Sequence, residues 1–217
     1  MDFEKARFNM VEQQIRPWDV LDETVLDLLY RVKREDYVPA VYRSLAFTDM
    51  EIPIGHGQTM LSPKLEAKML QELRLKSRDK VLEVGTGSGY MTALLASLAR
   101  HVYSVEIVPD LKSEAEAKLN AHGFDNVTLE AGDAAHGWLQ HAPYDVIVLT
   151  GSTPVLAEGF ANSLNAGGRL LAIVGEAPVM KARLVRCLQP GVYETQDLFE
   201  TCIAPLANAP QPERFVF

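Results

Sequence analysis

The run Val81-Leu82-Glu83-Val84-Gly85-Thr86-Gly87-Ser88-Gly89-Tyr90 sets the architecture of this chain. Its first half is apolar and β-branched, as a buried strand is. Glycine then takes every second position from Gly85 to Gly89. Beyond it, Met91, Ala93, Leu94, Leu95, Ala96 and Leu98 make a segment apolar nearly all round, which predicts a helix lying on a sheet. Strand, glycine turn and helix form the opening unit of a nucleotide-binding α/β fold. Residues without Cβ atoms let the chain reverse and let a ligand lie against the backbone, and the helix start offers it unpaired N–H groups. A turn that only packs a helix on a strand is the simpler reading of the same residues.

Spacing narrows the ligand. The sixth position counted from Gly85 is Tyr90, so the loop departs from the G-x-G-x-x-G of a dinucleotide site, and there is no P-loop. The next predicted strand, 102–106, ends at Glu106. An acid about 20 residues after the first glycine can accept hydrogen bonds from ribose hydroxyls. A third strand ends just before Gly132-Asp133. The carboxyl ends of strands in an open sheet share one crevice, so Gly85, Glu106 and Asp133 are expected on one edge. Asp133 can accept from an adenine amino group or cap the next helix.

Further strands are predicted near 80–84, 127–130, 145–149 and 169–174, and further helices near 89–99, 110–122 and 155–164. Leu184–Leu188 and Leu198–Ile203, parted by Pro190-Gly191, predict a closing hairpin. The sum is an α/β fold with a mostly parallel seven-stranded sheet, one antiparallel strand and helices on both faces. An N-terminal helical extension precedes it: one amphipathic helix from 3 to about 15, ended by Pro17, and a second capped by Asp22. Residues 47–63 hold two glycines and two prolines, which predicts a long ordered loop without a regular element. Ser62 stands at an N-cap position, before Pro63 and a helix running to about Leu75. The chain is expected to be one domain, with helices and loop in 1–75, the nucleotide-binding body in 76–217, and an extended tail from Pro205.

Composition bounds the rest. The 217 residues are 47% hydrophobic and 23% charged with a net charge of −8, as in an ordinary globule. Without a basic block, nucleic acid is not an expected partner. Cys187 and Cys202 form no C-x-x-C, and the histidines show no ligand spacing, so neither a disulfide scaffold nor a metal site is predicted. The charged start carries no signal-peptide core and no run is long enough to span a membrane, so a cytoplasmic protein is expected.

The residues also carry a resemblance. The glycine loop preceded by Glu83 and followed by Glu106 resembles the S-adenosylmethionine loop of Rossmann-like class I methyltransferases. Arg34-Glu35-Asp36-Tyr37-Val38-Pro39, Asp49, Ile52-Pro53-Ile54-Gly55, Gly57-Gln58-Thr59, Gly132-Asp133, Tyr144-Asp145-Val146-Ile147-Val148 and Pro205-Leu206 resemble the protein-L-isoaspartate O-methyltransferases. The resemblance implies S-adenosylmethionine as cofactor and methylation of isoaspartyl α-carboxylates in damaged proteins or peptides. It implies that Gly85, Thr86, Gly87, Ser88 and Gly89 line the methionine and ribose portion. Glu106 would take the ribose, Asp133 and Ala134 the adenine region, and Gln58 and Thr59 would cover the reacting centre. The family loop usually reads Thr-Ile-Ser-Gln-Pro, whereas this chain reads Thr59-Met60-Leu61-Ser62-Pro63. Leu61 therefore stands where the active-site Ser belongs, and Ser62, one position late, joins Thr59 as the catalytic candidates. A same-fold enzyme with a small acid or phenol as acceptor, and a cofactor-binding protein without turnover, remain open at this point.

The chemistry asks little of side chains. A carboxylate with a pKa near 4 is already a nucleophile at neutral pH, so no general base is expected. Holding donor and acceptor in line can supply roughly 7–11 kcal/mol of the barrier.

Overall fold

The structure is a computed structural model that describes residues 2–213. The chain begins with α1 (Phe3–Asn9), whose N-cap Asp2 accepts from the Lys5 N–H. The helical run reaches 15 as predicted but is α-helical only to Asn9. Met10–Ile15 loosens into a π-helical turn, and Arg16–Trp18 tightens into a 3-10 turn that runs through Pro17. Proline fits there because the first residues of a turn need no N–H partner. α2 (Glu23–Arg31) starts where expected: the Asp22 side chain accepts from the Thr24 N–H at 2.9 Å, and Val25, Leu26, Leu28 and Leu29 are buried.

Residues 47–63 contradict the prediction of a loop without regular structure. β1 (Ile52–Gly55) and β2 (Gln58–Met60) pair antiparallel. The two residues between them, His56 and Gly57, both have positive φ (52° and 72°), as a type I′ hairpin turn requires. A two-stranded ribbon has a free edge on each strand, where the missing N–H of Pro53 costs nothing. Ile52 and Ile54 alternate inward, which anchors the ribbon on the core. α3 (Pro63–Leu73) follows, with Ser62 at its N-cap position but making no side-chain cap bond.

The body contains β3 (Lys80–Val84), α4 (Tyr90–Leu98), β4 (His101–Glu106), α5 (Pro109–Ala121), β5 (Val127–Ala131), β6 (Tyr144–Thr153), α6 (Glu158–Asn162), β7 (Leu164–Glu176), β8 (Val179–Gln189) and β9 (Val192–Thr201). The sheet order is β5-β4-β3-β6-β7-β8-β9. β8 pairs antiparallel with both neighbours and every other pairing is parallel, so one strand is reversed, as predicted. Strand order turns back between β3 and β6, the place where open α/β sheets take their ligands.

Side chains alternate along the strands. Val81, Val146, Val148, Leu171 and Ile173 join the core under α2, α3, α4 and α5. Leu82, Val84, Ile147, Leu149, Leu170 and Ala172 join a smaller core that includes Phe160 of α6. Helix 155–164 is shorter than predicted because Thr153 Oγ1 donates to Val155 O at 2.6 Å and closes a turn first. The closing hairpin is much longer than its two apolar runs. Both of its faces carry cross-strand pairs, Arg183 with Asp197 on one and Arg186 with Glu194 on the other, that hide the strands from a hydrophobicity reading. Among the described residues no helix is long and apolar enough to cross a membrane.

Arg34 ties the N-terminal part to this body. It is 1% exposed, and its guanidinium donates to Ala46 O at 2.9 Å, to Leu61 O at 2.6 Å and to the buried Glu66 carboxylate. The same group lies 5.1 Å from the Tyr90 ring centroid. Removing one partner of a buried pair strands the other charge. Arg34→Ala should therefore lower unfolding stability by about 3–5 kcal/mol in urea titrations. Substituting Lys112, which pairs with Glu116 at the surface, should leave the midpoint nearly unchanged. A similarly small loss for Arg34→Ala would mean that the buried pair does not form.

Candidate active site

Three strand ends build a crevice of about 720 Å³, open mouth included, in the size range of small-molecule sites. Its centre is the turn after β3. Gly85 has φ +96°, and a Cβ there would strike Thr150 Oγ1 of β6. That hydroxyl lies 2.6 Å from Gly85 O and 3.0 Å from Val84 O, its single proton serving both, so β6 clamps the turn from the side. Glu106, at the end of β4, clamps it from the other side: Oε2 accepts from the Gly87 N–H at 2.8 Å and Oε1 from the Val108 N–H at 3.0 Å. Each carboxylate oxygen accepts one of these bonds and keeps further acceptor capacity, and Glu106 lines the crevice.

Asp133 follows β5. Its Oδ1 accepts from the Ala135 N–H at 3.0 Å and its Oδ2 from Asn208 Nδ2 at 2.8 Å. These bonds, the backbone one first, hold its carboxyl below the usual aspartate range. The tail passes overhead, bonded to β6 through Leu206 N to Ser152 O (2.8 Å) and Ser152 N to Ala204 O (2.9 Å). Leu206, Ile54, Leu61 and Ile107 supply apolar walls. Gln58 and Thr59 close one end, with Thr59 Oγ1 donating to Glu51 Oε2 at 2.8 Å.

A model of the protein-L-isoaspartate(D-aspartate) O-methyltransferases matches residues 5–210. The chain belongs to that family. A protein-L-isoaspartate O-methyltransferase of Gloeobacter violaceus is 39% identical over 199 residues, covering 92% of this chain and 97% of its own. One of Myxococcus xanthus is 40% identical over 194 residues, covering 88% and 92%. Among solved structures, a Plasmodium falciparum protein named for the same family, in complex with S-adenosyl-L-homocysteine, superposes with TM-score 0.79 at 20% identity over 95% of this chain and 99% of its own. A longer chain called protein-L-isoaspartate O-methyltransferase gives 0.80 at 22% identity, with 93% of this chain covering 66% of it. The class I methyltransferase fold is thus shared, and the family depends on S-adenosylmethionine.

Against the family motif, the structure divides the residues expected in the site. Gly85, Gly87, Glu106, Asp133, Ala134, Gln58 and Thr59 all line the crevice. Thr86 and Ser88 line a smaller concavity beside it, of about 300 Å³, which shares Thr59, Leu61, Gly85, Gly87 and Thr150 with the first. Gly89 lines neither. It caps α4 at φ +84°, and a Cβ there would sit 3.1 Å from Ala115 Cβ, so its hydrogen is what lets α4 and α5 touch. Ser62 is set apart from Thr59. It lines a third concavity with Trp18 and Lys64, while Leu61 faces the crevice. One residue along an extended chain turns the side chain to the opposite face. Thr150, Leu206, Ile54 and Ile107 were missed. Ile54 and Leu206 stood within motifs that carry the resemblance, and Thr150-Gly151 followed an apolar strand, but none of them was assigned to the site.

Glu83 lies under the turn and is fully buried. Its Oε2 accepts from Thr92 at 2.5 Å and Ser104 at 2.6 Å, Ser104 in turn lies 2.6 Å from Thr86 Oγ1, and Oε1 has no partner. Burial pushes this carboxyl up to about 8, with the two hydroxyl bonds opposing. The folded chain then keeps a proton that the unfolded chain loses above about 4.5. The stabilisation it gives is complete below that pH and is lost as pH rises to about 8, at up to about 1.4 kcal/mol per unit. Comparing Glu83→Gln with the parent by urea titration from pH 5 to 8 should show the difference move steadily in favour of the variant. A difference independent of pH would mean that Glu83 is ionised throughout.

Proposed function

We propose that this chain is an S-adenosylmethionine-dependent protein-L-isoaspartate O-methyltransferase that esterifies the α-carboxylate of isoaspartyl residues in damaged proteins. The observation that carries the reading is the meeting of the glycine turn, Glu106 and Asp133 beneath the 52–61 hairpin, in a chain that matches the family over 5–210. The residues fit the cofactor. Gly85 and Gly87 line the crevice with backbone alone, and the acid at the end of β4, which accepts one protein hydrogen bond at each oxygen, has acceptor capacity left for vicinal hydroxyls. The methyl group and a good leaving group come from the sulfonium of the bound cofactor.

The chain's own residues do the holding. Glu106 would take the ribose and the backbone of 85–87 the methionine portion of the cofactor. Asp133 and Ala134 would hold the adenine, with Ile107 and Leu206 as apolar walls. Thr59 and Gln58 close the acceptor end and keep water from it. The acceptor carboxylate arrives ionised, so no side chain has to remove a proton. Leu61 adds shape without a hydrogen bond, and the fixed geometry of its neighbours does the orienting. We read residues 1–75 and 76–217 as parts of one catalytic domain. The unpaired Cys187 and Cys202 support the cytoplasm as its compartment.

With methyl-labelled S-adenosylmethionine, the protein should transfer base-labile label to an isoaspartyl peptide and none to the matching aspartyl peptide. Transfer only to small acids or phenols, or binding without any turnover, would overturn the assignment. In calorimetry, Glu106→Gln should weaken cofactor binding roughly 10–150-fold, the range for losing a hydrogen bond to a charged group. Unchanged affinity would remove Glu106 from the cofactor site.

A further inference from the structure

A polypeptide acceptor continues on both sides of the residue that reacts, so the enzyme must seat chain outside the crevice. The third concavity lies where such chain would run. It holds about 540 Å³, open mouth included, and is lined by Trp18, Ser62, Leu65, Lys68, Phe199 and Thr201 among others. It shares a wall with the crevice: Leu61 faces one and Ser62 the other, and consecutive Cα atoms are only about 3.8 Å apart.

Its most conspicuous wall is Trp18, which stands 52% exposed on a surface of net charge −8. This exposure is built in. Lys68 Nζ donates to Trp18 O at 3.1 Å. The Gln71 side chain holds the next turn through Asp19 O (2.9 Å), Leu21 N (2.7 Å) and Asp22 N (3.0 Å). The Lys64 ammonium covers one side of the indole, 4.0 Å from its centroid, and is itself held by Asp49 at 2.7 Å. Lys68 lies 5.1 Å from the Phe199 centroid in the same way. With Asp49 and Glu200 balancing the two lysines, the concavity has little net charge, and the two rings, Leu65 and the lysine stems make it mainly apolar. A rigid aromatic held in place costs little entropy to use as an anchor.

We propose that this concavity is a subsite for an apolar or aromatic side chain of the acceptor polypeptide, a few residues from the isoaspartyl position, with Trp18 as its anchor. The proposal rests on the methyltransferase reading above and makes the enzyme selective among damaged sites by their neighbours. Ser62 belongs to this subsite, where its hydroxyl, free of cap duty, faces the peptide backbone.

The test is steady-state kinetics on isoaspartyl heptapeptides, with phenylalanine or alanine placed in turn at each flanking position. The parent should show a KM about tenfold lower for phenylalanine at one flanking position than for alanine there. Trp18→Ala should raise the KM of that peptide about tenfold, to the level of the alanine peptide. It should leave kcat, the KM of the all-alanine peptide and the calorimetric affinity for S-adenosylmethionine unchanged. Trp18→Phe should restore most of the preference, and Phe199→Ala should weaken it by a second route. KM values insensitive to every flank, or a preference that survives Trp18→Ala, would overturn the subsite while leaving the methyltransferase reading intact. Failure of the parent to methylate any isoaspartyl peptide would instead remove that reading and the subsite with it.

Discussion

Arg34 carries a permanent charge into the interior, and three of its contacts end on something that shapes the crevice. Its link to Leu61 O fixes the end of the hairpin, its pair with Glu66 fixes the first turns of α3, and its contact with Tyr90 joins both to the helix that follows the glycine turn. A buried guanidinium has no alternative partners in water, so these positions are set together or not at all. The N-terminal residues are therefore no mere cover on a nucleotide-binding body. They contribute Ile54, Gln58, Thr59 and Leu61 to the lining of the crevice, held through a cation that the core tolerates because each of its three nitrogens donates a hydrogen bond. Burial raises the Glu66 carboxyl to about 7, with Arg34 opposing, so this tie responds to pH as the buried Glu83 does.

The same economy governs the glycine turn. Thr150 and Glu106 hold it from opposite sides, and both do so by gripping its backbone groups rather than its side chains. Such a site is rigid before any ligand arrives, and a rigid site does not spend binding energy on its own ordering.

Rigidity of this local kind explains which features were legible in the sequence. The strand and glycine pattern of 81–90, the acid ending β4 and the aspartate after β5 are local signals with a fixed structural meaning, and they led to the sheet, its order of chemistry and one edge of the crevice. The hairpin at 52–60 was misread because its prolines and glycines are breakers in a helix or a central strand, yet are tolerated in a two-stranded ribbon. The long closing strands were shortened because their solvent faces are charged and paired across strands. Gly89 and Ser62 stand away from the crevice for another reason. Their roles depend on what stands opposite, Ala115 in one case and Trp18 in the other, and neither neighbour is near in sequence.

Leu61 joins this rigidity to function. Its backbone carbonyl accepts from Arg34 at 2.6 Å, while its side chain offers the crevice only a hydrocarbon wall. In a reaction whose nucleophile is ionised on arrival, a hydroxyl at that position would orient the acceptor without taking part in bond making. Its absence shifts the work of orientation to whatever else grips the acceptor. A crevice with an apolar wall at its reacting end, adjoining a second concavity with an exposed, immobilised tryptophan, divides that work between two places. Precision at the carboxylate is then inherited from contacts made by the flanking chain, because binding energy from parts of a substrate that do not react can be used to align the part that does.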